Sequence, residues 1–150
     1  MKRPLIRALI GGLSGAILAL TIGLVGCPAT TQVKVAQAAQ TASIVVVNFQ
    51  KAEIVSYHND LISVADHQFI EAELANSATA GIALDSCIKT ATNNTGYLAC
   101  LSTAQTAINT IAINGGTGIK SVQAKQDFQA AMAAYNVALA TAKALLGGAQ

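Results

Sequence analysis

Arginine does not occur beyond position 7, proline does not occur beyond position 28, and tryptophan is missing altogether from this chain of 150 residues. Each gap narrows the reading. Three of the nine basic residues (Lys2, Arg3, Arg7) crowd the start, so the chain after Gly26 keeps six lysines against seven acidic residues. With a net charge of about −1 and no arginine, that part has no basic footprint for phosphates or nucleic acid. The sequence pI of 8.5 belongs to the opening segment alone. No Cys-x-x-Cys is present, which removes the usual redox and zinc spacings. The serines lack a Gly-x-Ser-x-Gly elbow, and Gly115, Gly116 and Gly118 lack the lysine and strand context of a phosphate loop. No segment pairs with another by strand alternation, so the composition points to an all-α, non-catalytic protein.

What is present begins with an address. The basic opening Met1 to Arg7 is followed by an uncharged apolar run, Ala8 to Gly26, that closes in Leu24-Val25-Gly26-Cys27. A cationic start stays on the cytoplasmic side, an apolar stretch enters the bilayer, and small residues fit a peptidase. The tetrad resembles the lipobox of bacterial lipoprotein precursors, a resemblance confined to residues 1–27. It implies cleavage after Gly26, with Leu24, Val25 and Gly26 as the recognition motif. It also implies that Cys27 carries a diacylglyceryl group on its thiol and, in many members, a fatty acyl chain such as palmitate on its amino terminus. Pro28 stands where an aspartate tends to retain such proteins at the inner membrane, so in a Gram-negative source the resemblance favours the outer membrane. The competing reading is an uncleaved anchor. At about 19 residues, Ala8 to Gly26 reaches the threshold for a spanning helix, and Gly11 and Gly15 form a Gly-x-x-x-Gly pair of the kind found where membrane helices approach closely.

With Cys27 assigned to lipid, Cys87 and Cys100 remain as an even pair in a chain expected to leave the reducing cytosol. The cluster Thr92-Asn93-Asn94-Thr95-Gly96 lies midway between them, and an antiparallel hairpin about that turn sets the two thiols opposite each other. Such a bridge contributes about 3 kcal/mol by restricting the unfolded chain. Asn93-Asn94-Thr95 matches a glycosylation sequon, but its turn role is preferred in a bacterial chain.

Pro28 to Thr31 reads as a tether, and residues 32–150 as one helical domain. From Gln32 to Asn76 there is neither proline nor glycine, which predicts one long helix. On a helical wheel Val47, Ile54, Leu61, Ala65 and Ala72 form its apolar face; Glu53, Ser56, Asp60, Ser63, His67 and Glu71 gather on the polar face. Its length leaves an end that the other helices cannot cover. A second helix is expected from Ser77 or Thr79, with Leu84, Cys87, Ile88 and Ala91 on one side. A third is expected over Tyr97 to Ile113, carrying Leu98, Leu101, Ile108 and Ile111 and stopped by Asn114-Gly115-Gly116. The last, Gly118 to Leu146, has the clearest pattern: Phe128, Met132, Tyr135, Leu139, Ala142 and Leu146 alternate steps of four and three, a bundle seam.

Candidate chemistry is sparse. His58 and His67 lie about two and a half helical turns apart, on opposite faces of one predicted helix, and do not chelate together. His67 and Glu71, beside Asp66, offer two ligands one turn apart, but a zinc site needs a third and none has the spacing. The expectation there is a solvated face with a weak ion pair and no bound metal or cofactor. His58 is expected on the apolar face, partly buried.

Together these readings predict an elongated three- or four-helix bundle with a disulfide-stapled hairpin. The function expected is that of an envelope lipoprotein, membrane-anchored through Cys27, with a structural or protein-binding role and an envelope protein or a second copy as partner. The alternatives are a small membrane protein with an uncleaved spanning helix, and a periplasmic carrier of a small ligand or metal.

Overall fold

The computed structural model describes residues 31–147, all of the domain except its last three residues. Four helices of near-equal length follow one another: α1 (Thr31–His58), α2 (Val64–Thr90), α3 (Asn94–Gly118) and α4 (Val122–Gly147). At 1.5 Å per residue each is about 40 Å long, so every helix can cover its neighbours from end to end. Each packs on the next in the chain, α1 closes the ring against α4, and the α1–α3 diagonal is slight. Among the described residues there is no strand. The all-α bundle with a stapled hairpin is therefore the observed fold.

The core is a set of interlocking seams. All six residues of the expected α4 seam are buried, and Tyr135, Phe128, Met132 and Leu139 are among the most enclosed side chains in the molecule. Helix α1 answers with Val35, Ala38, Ala42, Val45 and Phe49, again in steps of three and four. The ring of Phe49 meets that of Phe128 edge to face, with centroids 5.7 Å apart. By length and composition α4 could also cross a membrane, as core helices often can, but its seam is occupied inside the bundle. At one end of the bundle Cys87 and Cys100 are joined in a disulfide, with Cα atoms 5.7 Å apart, across the α2–α3 turn as the spacing predicts.

The single long helix predicted from Gln32 to Asn76 does not form. The chain reverses at Asn59–Ser63, and α2 starts at Val64 rather than near Ser77. The reversal is built without glycine or proline. Asp60 takes the left-handed conformation (φ 55°). The amide of Asp60 donates to Tyr57 O and that of Leu61 to Ser56 O, the bond pair of a Schellman ending. Ser63 then opens α2, its hydroxyl accepting from the Asp66 amide at 3.0 Å. With the chain folded back there is no uncovered overhang. The wheel also largely inverts: Val47, Ile54 and Leu61 are exposed, as are Ala65 and Ala72, while Glu53, Ser56, His67 and Glu71 of the supposed polar face are buried or half-buried and only Asp60 and Ser63, at the reversal, stay exposed. The core stripe of α1 is written in alanines and valines, small enough to be outweighed on a wheel by larger residues that face out.

The predicted stop at Asn114-Gly115-Gly116 is likewise passed over, and α3 continues to Gly118. Packing explains these glycines. A methyl group at Gly115 would overlap the Phe128 ring, and one at Gly118 would overlap the ring of Phe69. Asn114 reaches sideways to donate to Glu73 on α2 (3.3 Å). Helix α4 then starts at Val122, a few residues later than expected, with Ser121 accepting from the Ala124 amide.

One carboxylate ties the turns together. Asp66, buried in the first turn of α2, accepts from the backbone amides of Lys120 (2.7 Å) and Ser121 (3.1 Å) in the α3–α4 linker. Burial pushes this carboxyl up, but the two amides and the Ser63 hydroxyl outweigh burial and hold it below its ordinary value of 3.8. An acid whose folded value is depressed stabilises the fold above its unfolded value and loses that contribution as pH falls through the folded one. Asp66→Ala should therefore lower the unfolding free energy by about 3 kcal/mol at neutral pH. In urea melts run with the disulfide intact, the deficit should shrink below pH 3.8. The glycines give a paired test. Gly115→Ala should destabilise by about 2 kcal/mol through overpacking. Gly116→Ala meets only the movable end of Gln129, at 2.8 Å, and should be neutral or stabilising by up to about 1 kcal/mol through helix propensity.

Candidate functional site

The core stripe of α1 changes character toward its C-terminal end: one turn after Phe49 the inward position is Glu53, and beyond it Ser56. Opposite, the first two turns of α2 present His67 and Glu71. The reversal at Asn59–Ser63 therefore brings together three groups that a continuous helix would have spread along its outer surface. One donor atom from each of Glu53, His67 and Glu71 lies within 4.8 Å of the other two. The third ligand absent from the spacing of His67 and Glu71 is Glu53, supplied by the neighbouring helix.

The cluster is enclosed rather than solvated, contrary to the sequence expectation. The side chain of Glu53 is 2 % exposed and that of His67 22 %, with Nδ1 2.7 Å from Glu53 Oε1. The ring of Tyr57 stacks on the imidazole, with centroids 3.9 Å apart and planes within 6°, fixing its orientation. Gln50 donates to Glu71 Oε2 at 3.3 Å. The remaining oxygens, Glu53 Oε2 and Glu71 Oε1, are buried without a hydrogen-bond partner among the described residues. Two carboxyls thus face a shared space, one of them with no good escape to water. Burial raises the Glu53 carboxyl above its ordinary value; the hydrogen bond and charge of His67 oppose that rise and Glu71 adds to it.

Next to the cluster, the upper halves of α1 and α2 part to leave an open groove of about 500 Å³, with Gln50 and Glu71 at its edge and Val46, Leu74 and Ile82 among its walls. Tyr135 of α4 forms the floor, its hydroxyl also lacking a hydrogen-bond partner among the described residues.

The other sequence candidates fall in different places. His58 is exposed at the end of α1, tilted against Tyr57, and not on a buried face. Asp66, next to His67, points instead to the α3–α4 linker. Cys87 and Cys100 meet as expected. Leu24, Val25, Gly26 and Cys27, with Gly11 and Gly15, lie outside the described residues. The inward role of Glu53 was beyond reach of a wheel drawn on one helix; its available signal was Ser63-x-x-Asp66, a capping box that marks a helix start after Leu61 and Ile62. No family model matches the chain, and no match was found among the curated proteins or the solved structures.

Because the folded state holds a proton on Glu53 at pH values where the unfolded chain has released it, this group's contribution to stability falls as pH rises above 4.5. The groups facing it are His67 and Glu71 of α2. Glu53→Gln keeps the shape and an acceptor for His67 but removes the ionisation. Urea melts should show its stability relative to wild type increasing from pH 4.5 to pH 7.5, the opposite slope to Asp66→Ala.

Proposed function

We propose that this chain is a lipid-anchored protein of a bacterial envelope with a structural or protein-binding role and no catalysis. The observation that carries the reading is the Cys87–Cys100 bridge. Structural disulfides belong to oxidising compartments, and this one uses two of the three cysteines, leaving Cys27 behind Leu24-Val25-Gly26 as the residue for lipid. Two or more acyl chains on Cys27 give stable attachment, where one chain binds only reversibly. By the same resemblance, Pro28 after the lipidated cysteine favours the outer membrane in a Gram-negative cell. The outer side of α1 supports a protein partner or a second copy. Val33, Ile44, Val47, Ile54 and Val55 are exposed there and fall within an arc of about 100° on the helix, an apolar stripe wide enough to seat another helix.

The rival within the membrane class, an uncleaved Ala8–Gly26 helix, differs in mass. Protein extracted from membranes of a bacterium with the lipoprotein pathway should have the intact mass of residues 27–150 plus acyl groups, and reduction should add the mass of two hydrogens. Cys27→Ser should abolish acylation and processing and leave the full-length precursor, a change of size from the wild-type chain. A full-length mass with unmodified Cys27, unchanged in size and attachment by Cys27→Ser, overturns the lipoprotein reading in favour of the spanning helix.

A further inference from the structure

We propose that Glu53, His67 and Glu71 form a binding site for one divalent first-row transition-metal ion. The donor set argues the class. An imidazole with two carboxylates suits zinc, iron, cobalt or manganese, whereas magnesium and calcium call for more oxygens and no nitrogen. The spacing fits. Ligand bonds of about 2.0–2.1 Å in tetrahedral geometry set donor atoms about 3.4 Å apart. The present spread, from 2.7 Å between His67 and Glu53 to at most 4.8 Å across the cluster, brackets that value.

Charge argues the same way. Two carboxyls turned toward each other in an enclosed space repel when ionised. A dication cancels both charges and uses the buried oxygens of Glu53 and Glu71 that lack partners among the described residues. On binding, His67 Nδ1 and Glu53 Oε1 give up the hydrogen bond they share: a proton held by the Glu53 carboxyl leaves for solvent, whereas one held on Nδ1 of the neutral ring passes by way of solvent to Nε2.

The supporting shell is already in place. Tyr57 clamps the imidazole plane, and Gln50 holds Glu71 Oε2, leaving Oε1 buried without a partner among the described residues. Three protein ligands leave the fourth position for water or an incoming donor, the arrangement of an exchangeable or chemically accessible ion rather than of a closed structural one. The groove beside Glu71 gives that position an approach. The site does not depend on the lipid anchor: the full chain should bind whether or not Cys27 is acylated.

Full-length chain in detergent, stripped with chelator, is titrated with zinc chloride by calorimetry and with cobalt chloride by visible absorption. The expected result is one ion per chain, with cobalt ligand-field bands. Glu53→Gln and His67→Gln should abolish both signals, and Glu71→Gln should do the same or nearly so. Gln50→Ala should weaken binding about tenfold. His58→Gln, at an exposed site, should change nothing. Circular dichroism establishes that each variant is folded; should Glu53→Gln fail, His67→Gln and Glu71→Gln, at less buried positions, carry the same reading. The proposal is overturned if folded wild-type chain takes up no stoichiometric ion, or if the folded ligand variants bind as wild type does.

Discussion

The two hydrogen bonds that Asp66 accepts from the Lys120 and Ser121 amides set the geometry on which the rest depends. They join the start of α2 to the linker that starts α4, at the end of the bundle opposite the disulfide. Helix α2 is thus held at both ends, covalently to α3 near Cys87 and through a charged hydrogen-bonded carboxylate to the α3–α4 linker near Asp66. Successive residues on a helix point about 100° apart. Once Asp66 faces the linker, His67 is turned aside toward α1, and Glu71 follows one turn later on the same side. The rotation of α2 that satisfies one buried carboxylate therefore determines which residues meet Glu53.

A buried carboxylate is favourable here only because its donors are complete. Asp66 has the two linker amides and the Ser63 hydroxyl, and it is the stronger acid in consequence. Glu53 is as deeply buried but has only His67 to offset its burial, and its acidity moves the other way. The same chemical group is in one case a clamp and in the other an unfinished coordination shell.

Much of this architecture was legible in the residues. The α4 seam reads directly because Phe128, Met132, Tyr135, Leu139 and Leu146 are large and regularly spaced. The disulfide reads from two cysteines placed symmetrically about an asparagine-rich turn. Illegible were features where a residue's usual meaning was overridden. Asp60 performs the left-handed turn generally left to glycine, so a segment without glycine or proline still reverses. Gly115 and Gly118, which ordinarily end helices, instead make room for Phe128 and Phe69 inside and at the end of one. The glycines answer to tertiary packing, the reversal to local capping, and the reversal has the wider consequence: on one unbroken helix Glu53 and His67 share a solvent-facing surface, and their meeting is invisible.

That meeting is not explained by the needs of the fold. Every other inward position of the α1 stripe up to Phe49 is filled by an apolar or small side chain, and a leucine or glutamine at Glu53 would continue the packing without a charge to desolvate. A buried oxygen lacking a partner costs about 1–3 kcal/mol, a large share of a domain's net stability of about 5–15 kcal/mol. Glu53 Oε2 and Glu71 Oε1 both stand in that position, in the same small volume, beside an imidazole held flat by Tyr57 and a glutamine that occupies the other oxygen of Glu71. Unsatisfied polar atoms scattered through a core would mark poor packing. Two of them in one cluster with an oriented imidazole, while the other oxygen of each carboxyl is bonded, are what a site looks like when the fold gives up stability to keep donor atoms available.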